Sequence, residues 1–184
     1  TVEVRKAVCQ RLKEDCGIEY QPAEIAVSNG AKTCVYASLR ALVNPGDEVI
    51  LPAPYWVSYL ELIQMVGGVP VVIHATEAEH FKITAEKLAA AITPKTKLLV
   101  LPFPCNPTGG IMERKDLEAL VPILKDTNIM ILSDEIYAEL TYGQHHVSPA
   151  NLTELYDRTV LVNGFSKSHA MTGWRMGYVC GPAP

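Results

Sequence analysis

The chain of 184 residues is long enough to bury one hydrophobic core, and its composition, 48% hydrophobic and 20% charged, excludes an intrinsically disordered protein. Its 16 basic and 20 acidic residues give a net charge of -4 without a basic run, so we expect neither nucleic acid nor a membrane as a partner. Five cysteines, an odd number without CxxC spacing, indicate a reduced protein of the cytoplasm.

Helical and strand patterns alternate along almost the whole chain. Helical periodicity and helix-end signals predict helices at residues 2–15, 31–43, 55–66, 84–92 and 114–125. Short apolar runs predict strands at residues 25–27, 48–51, 69–73, 97–101, 129–133, 159–163 and 176–180. This alternation is typical of a single three-layer α/β/α domain with a mostly parallel mixed sheet, which binds its ligand at the carboxyl ends of the strands.

Two clusters follow the first predicted strands. SNGAK (residues 28–32) lies between a strand and a helix, where Gly30 and Ala31 let a ligand approach and the helix-opening N–H groups can hold a phosphate. An ordinary capped turn is the alternative. PAPYW (residues 52–56) presents Trp56 for stacking on a flat heterocycle, although core or interface packing is the commoner fate of such a ring.

Two further clusters follow later strands. NPTGG (residues 106–110) offers Asn106 as a hydrogen-bond donor to a ring oxygen, or simply forms a turn. SDEIY (residues 133–137) places Asp134 at the end of a buried strand, where a carboxylate is costly unless it has a partner. A protonated pyridine nitrogen is one such partner, and an N-cap or a salt bridge is the alternative. Tyr137, one turn later, can reach the same side.

A lysine between two serines precedes an arginine by eight positions. Lys167, beside Ser166, can form a Schiff base with an aldehyde, and Arg175 can clamp a phosphate. Pyridoxal phosphate needs both an amine and a cation, so this segment favours that cofactor.

Other polar residues offer weaker signals. The adjacent pair His145 and His146 does not suit one metal ion, and the remaining histidines lack ligand spacing, so we expect no metal site. Cys105 receives no catalytic role because nothing in the sequence indicates a lowered pKa. Glu135 is interpreted as a surface or supporting residue rather than a base.

The five motifs together are far more specific than any one of them. In the order SNGAK, PAPYW, NPTGG, SDEIY and SKSHAMTGWRMGY (residues 166–178), the chain resembles the large domain of the class I aminotransferases, which are fold type I enzymes of pyridoxal phosphate. The branch that it resembles most contains bacterial aspartate and prephenate aminotransferases. The resemblance covers essentially all of the chain. It implies transfer of an amino group between an amino acid, aspartate-like or aromatic, and a 2-oxo acid.

The resemblance also implies a catalytic set of Lys167, Asp134 and Tyr137. Lys167 would form the Schiff base and shuttle a proton, Asp134 would pair with the pyridinium nitrogen, and Tyr137 would hydrogen-bond the ring oxygen. The implied cofactor-binding set is Ala31, Lys32, Trp56, Asn106, Asp134, Tyr137, Ser166, Lys167 and Arg175. Within that set, Trp56 would stack on the ring and, with Asn106, border the substrate.

Two departures from the family pattern matter. Many relatives have a phosphate-binding serine three residues before the lysine, where this chain has Gly164. The family's N-terminal arm and C-terminal small domain, which carries the arginine for the substrate carboxylate, have no counterpart in residues 1–184. We therefore expect a partial large domain that is inactive or weakly active alone, and a homodimeric full-length parent. The start at Thr1 and the end at residues 181–184 both suggest a piece of a longer protein; of these residues, Ala183 and Pro184 lie outside the part of the chain described below.

Two other functions remain open at this point. Carbon–sulfur lyases share the fold and most of these residues, and they would release ammonia and a 2-oxo acid instead of transferring the amino group. A cofactor-sensing domain of a transcription regulator uses the same fold without turnover, although the charge of this chain gives no indication of DNA binding.

Overall fold

A seven-stranded mixed sheet forms the centre of the computed structural model, which describes residues 1–182. Its strands are β1 (Ile25–Ser28), β2 (Glu48–Ala53), β3 (Val69–His74), β4 (Thr96–Leu101), β5 (Met130–Asp134), β6 (Thr159–Gly164) and β7 (Gly177–Cys180). They lie in the order β1-β7-β6-β5-β4-β2-β3. Strand β7 runs antiparallel to both its neighbours, and the other adjacent pairs are parallel. The predicted mostly parallel mixed sheet is confirmed.

Six α-helices within residues 1–182 cover both faces of the sheet; α1 precedes β1, and the other five connect successive strands from β1 to β6. They are α1 (Val2–Cys16), α2 (Ala31–Leu42), α3 (Ser58–Met65), α4 (Ala85–Ala91), α5 (Arg114–Leu124) and α6 (Thr153–Tyr156). Thr84 caps α4 through its hydroxyl, and Gly17 ends α1 in the left-handed conformation with φ 67°. No helix within residues 1–182 is long and apolar enough to cross a lipid bilayer.

The core is divided by the sheet into two faces. Leu132 in β5 packs with residues of α2 and α3, whereas Ile131, one position earlier, packs with residues of α4 and α5. Successive side chains of a strand point to opposite faces, so an apolar run without alternation marks a strand covered on both sides. Each buried leucine contributes about 1.5–3 kcal/mol. The end of β5 is therefore anchored on both faces.

Three local predictions differ from the structure. Helix α3 begins at Ser58 rather than at residue 55, because residues 54–57 form a loop that turns Trp56 towards the ligand edge. Strand β2 does not end at residue 51 as predicted but continues through Pro52 to Ala53. Helix α6 is not predicted, because its four residues are too few to produce a helical period in the sequence.

Candidate active site

A cavity of about 250 Å³ opens at the carboxyl edge of the sheet. It lies among the start of α2, the loops after β2, β4 and β5, and the segment between β6 and β7. Every residue in the implied cofactor-binding set lines it: Ala31, Lys32, Trp56, Asn106, Asp134, Tyr137, Ser166, Lys167 and Arg175. Positions up to 144 residues apart in the sequence thus converge, which follows from parallel strands ending at one edge.

Asp134 is the last residue of β5, at the carboxyl end of the strand, and is only 5% exposed. Its Oδ2 accepts a 2.7 Å hydrogen bond from the hydroxyl of Tyr59, and its Oδ1 accepts one of 3.2 Å from the backbone N–H of Ile136. Burial nevertheless raises the pKa of Asp134 to about 6, since desolvation outweighs both hydrogen bonds. A cation in the cavity would therefore gain a strong partner here.

Tyr59 is not predicted from the sequence as a site residue. It is buried in α3, lines the cavity and stands three positions after Trp56, with the two rings edge to face at 5.7 Å. Burial and then the charge of Asp134 raise the pKa of Tyr59 well above its ordinary value. The hydroxyl therefore stays protonated and donates a hydrogen bond to Asp134. The sequence analysis predicts a helix from residue 55, in which Tyr59 would lie one turn after Trp56, and this spacing was the available signal.

Lys167 is carried on a segment that leaves the sheet after β6 and returns at β7. A backbone hydrogen bond of 3.2 Å from Phe165 to Met176 closes the base of this segment. The exposed Lys167 places Nζ 5.5 Å from the centroid of the Tyr137 ring, at the cavity wall. One amine and one phenol therefore face the same space as Asp134.

The opposite end of the cavity is built to hold an anion. No side chain caps the start of α2, where Gly30 has a φ of 83°, so backbone N–H groups of the first turn point outward. The guanidinium of Arg175 packs against Gly30 so closely that an added Cβ would collide with it. Arg175 Nη1 also donates to the carbonyl of Thr172 at 3.1 Å, which aims the group. A helix start beside a fixed arginine can hold a phosphate, and we call this arrangement the anion cradle.

The aromatic wall is formed by Trp56. Lys32 Nζ lies 4.5 Å from the centroid of the indole ring, within range of a cation–π interaction.

Asn106 is exposed on a loop that is closed by two backbone hydrogen bonds of 2.8 Å between Cys105 and the glycines of NPTGG. Cys105 itself is buried away from the cavity lining.

Gly164 is a glycine because there is no room for a side chain. A Cβ at this position would lie 2.9 Å from the carbonyl oxygen of Met176 and 3.0 Å from the Cα of Gly177. The hydroxyls of Ser166 and Thr172 both belong to the cavity lining. Two other residues with hydroxyl groups therefore line the cavity, although position 164 itself has none.

Of the two interpretations given for Glu135, a surface or a supporting residue, its burial excludes the first. Only 1% of it is exposed, and its carboxylate contacts Ser148 and His146 on the side of the sheet away from the cavity. The residues described include no group of three or more histidine, cysteine or acidic side chains that could hold a metal ion.

A lysine, a buried carboxylate, an aromatic wall and an anion cradle line one cleft of this α/β protein, and together they could hold a flat, phosphorylated, electrophilic group. The family described as aminotransferase class I and II matches residues 1–184. The chain belongs to this family.

Similar proteins agree with that assignment. The aspartate aminotransferase of Geobacillus stearothermophilus is 48% identical over 97% of this chain, and the aspartate/prephenate aminotransferase of Cereibacter sphaeroides is 44% identical over 98%. In both cases the match covers 46% of the relative.

Solved structures give the same result for the fold. The aspartate aminotransferase from Rhizobium meliloti has a TM-score of 0.95 and 40% identity, covering 98% of this chain and 46% of that one. An aromatic aminotransferase from Pyrococcus horikoshii has a TM-score of 0.95 and 38% identity, covering 99% and 49%. The chain therefore spans about half the length of the proteins that it matches.

Proposed function

We propose that the chain is the cofactor-binding large domain of a pyridoxal-phosphate-dependent aminotransferase, which moves an amino group between an amino acid and a 2-oxo acid. The observation that carries the proposal is the cavity at the carboxyl edge of the sheet, where an amine, a buried carboxylate and an anion cradle face one another. These are the three groups that an aldehyde, a basic ring nitrogen and a phosphate require.

The donor set fits pyridoxal phosphate at each end. Arg175 and the first N–H groups of α2 would hold the phosphate, and Asp134 would hold a proton on the ring nitrogen. Trp56 would cover the ring face, while Tyr137 and Asn106 would donate hydrogen bonds to the ring oxygen. When bound, the cofactor supplies the aldehyde and the electron-accepting ring that amino-group transfer needs.

The chain's own contribution to the chemistry is proton transfer and charge. Lys167 Nζ would bind the aldehyde. Once released by the incoming amino acid, it would take a proton from the substrate α-carbon and deliver it to the carbon that had carried the aldehyde oxygen. The negative charge of Asp134 favours the protonated ring, and burial makes that interaction stronger than it is in water. Tyr137 stands beside Lys167, with the ring centroid 5.5 Å from Nζ, and would help to orient the amine.

Absorbance titration with pyridoxal phosphate tests this function. The wild-type chain should develop the band of a lysine-bound cofactor, Lys167→Ala should lose it, and Lys6→Ala, an exposed lysine of α1, should keep it. Identical spectra for wild type and Lys167→Ala would refute the role of Lys167.

The substrates are proposed from the activities for which similar proteins are named. Aspartate, prephenate and aromatic aminotransferases are all among them, so an acidic or aromatic amino acid and a 2-oxo acid are the expected pair. We propose little turnover by residues 1–184 alone. In the full-length protein, conversion of the bound cofactor to its amine form by an amino acid supports transfer, whereas release of ammonia supports a carbon–sulfur lyase.

A homodimer in the cytoplasm is also proposed. Val57 and Trp174, which are 67% and 76% exposed, follow Trp56 and precede Arg175 of the cavity, so apolar surface adjoins the site. All five cysteines are free thiols, which suits a reducing compartment. Light scattering that shows an active monomeric full-length protein would contradict the dimer.

A further inference from the structure

Two consecutive carboxylates are buried at the end of β5. Asp134 continues the strand face of Leu132, under α2 and α3, and reaches the cavity. Glu135 continues the face of Ile131 and points away from the cavity. Two like charges on adjacent buried residues oppose each other's ionisation, so at least one of them needs a compensating charge.

Glu135 has such a charge within reach. Its Oε2 lies 2.9 Å from Nε2 of His146, and the two side chains are 1% and 4% exposed. The imidazole N–H is not aligned for a linear hydrogen bond, and both ring nitrogens lack a hydrogen-bond partner within residues 1–182. The contact is therefore chiefly coulombic. Oε1 accepts a 2.5 Å hydrogen bond from the hydroxyl of Ser148, whose N–H is held by Asn151.

No other cation of the described residues lies within ion-pair distance of Glu135. The titratable groups that face it from α1, the loop after α1 and β7 are neutral thiols and phenols, namely Cys16, Tyr20, Tyr178 and Cys180. Burial and then the charge of Glu135 raise the pKa of Cys16 to about 12, so this thiol stays protonated. Beyond Cys16, Asp15 and Glu139 contact Arg11 at 2.6 and 3.7 Å.

We propose that His146 is a positioning residue for the cofactor site: as an imidazolium it neutralises Glu135, so that Asp134 keeps the one uncompensated buried charge for the ring nitrogen. The inference rests on the proposed function for its consequence at the cofactor. The link is short, because Asp134 and Glu135 share a peptide bond. The N–H of Glu135 donates to the carbonyl of Val162 at 2.8 Å, which fixes the strand end.

The test compares His146→Gln, Glu135→Gln and the double variant in the full-length protein loaded with pyridoxal phosphate. His146→Gln leaves Glu135 unpaired. The pH midpoint of the cofactor absorbance should then rise by about one unit, as expected for one charge at roughly 10 Å and an effective dielectric constant of about 20. Glu135→Gln and the double variant remove the unpaired charge and should titrate close to wild type. His145→Gln, an exposed neighbour, is the matched control.

A purely structural role predicts a different ranking. If Glu135→Gln or the double variant shifts as far as His146→Gln, packing rather than charge is responsible and the inference is wrong. A His146→Gln titration that superimposes on wild type also overturns it.

A second measurement separates this inference from the proposed function. If wild type itself develops no cofactor band, the proposed function fails. Nitrogen NMR of the cofactor-free protein still tests His146, and it also serves if His146→Gln does not fold. Both ring nitrogens should be protonated at pH 7 in wild type, and only one in Glu135→Gln. A neutral ring in wild type would refute the charged pair.

Discussion

Replacing Asp134 by asparagine should stabilise the cofactor-free protein progressively as the pH rises from about 4 to about 7. Burial raises the pKa of Asp134 from its ordinary 3.8 to about 6. A group whose folded-state pKa is raised contributes stability that is present below the unfolded pKa and lost as pH rises through the folded one. The wild-type protein therefore loses stability across this window, and an asparagine, which does not ionise, avoids the loss.

The magnitude follows from the size of the shift. About two pKa units correspond to about 3 kcal/mol. An asparagine also places an amide N–H where Asp134 Oδ1 or Oδ2 accepts a hydrogen bond, at a cost of about 1–3 kcal/mol. That cost does not vary with pH. The difference in unfolding free energy between variant and wild type should therefore change by up to about 3 kcal/mol from pH 4 to pH 7, whatever its value at pH 4.

Urea unfolding of both proteins at several pH values, followed by tryptophan fluorescence, measures this difference. Saturating pyridoxal phosphate should reduce or reverse the advantage of the variant at pH 7, because the cofactor's cation compensates Asp134 in wild type only. A difference that is constant with pH, or that favours wild type as the pH rises, would refute the assignment of Asp134 as an uncompensated buried carboxylate.

Three further substitutions test other parts of the structure. Gly30→Ala should weaken cofactor binding about tenfold or more in absorbance titration, because its φ of 83° disfavours a side chain and the added Cβ meets Arg175. Tyr59→Phe should cost about 1–3 kcal/mol of unfolding free energy at pH 8, since ionised Asp134 loses its 2.7 Å hydrogen bond. Leu132→Ala should cost about 2–5 kcal/mol, because this side chain is fully buried in β5.

Each of these substitutions has a control within the chain. Gly143→Ala has a similar φ of 82° but open space around it, and Tyr142→Phe and Met65→Ala alter exposed side chains. Equal effects on cofactor affinity for Gly30→Ala and Gly143→Ala would contradict the claim that Gly30 and Arg175 form the anion cradle. A cost for Leu132→Ala no larger than that for Met65→Ala would contradict the assignment of β5 as a strand buried on both faces.

Much of the architecture follows from local sequence signals. Strands β4 and β5 are predicted because apolar runs as short as these indicate strands covered on both sides. The longer helices are predicted because their apolar positions repeat with a helical period. Asp134 is predicted as a ligand-edge residue because it ends one of those runs. The residues of the cofactor-binding set then converge because parallel strands end at one edge.

Features that depend on packing between distant segments escape the same reasoning. The hydrogen bond of Tyr59 to Asp134 joins residues 75 apart in the sequence. The only local signal for a role of Tyr59 in the site is its spacing from Trp56. Glu135 next to His146 is similar: a glutamate and a histidine in polar stretches suggest solvent, and only the folded chain shows both buried. A charged residue can be buried only where the fold gives it partners, and the local sequence pattern does not show which partners those are.

The end of β5 shows how these unforeseen partners relate to function. Two adjacent carboxylates buried without compensation would destabilise the strand on both faces. On one face the chain supplies the compensation itself, through His146 and Ser148 at Glu135. On the other face, Tyr59 and the N–H of Ile136 supply hydrogen bonds but no positive charge, and the pKa of Asp134 stays raised, to about 6. Within the part of the chain that the structure describes, Asp134 therefore lacks a positively charged partner, whereas the other buried polar groups at the end of β5 have partners. This is the physical reason to place a protonated ring nitrogen beside Asp134.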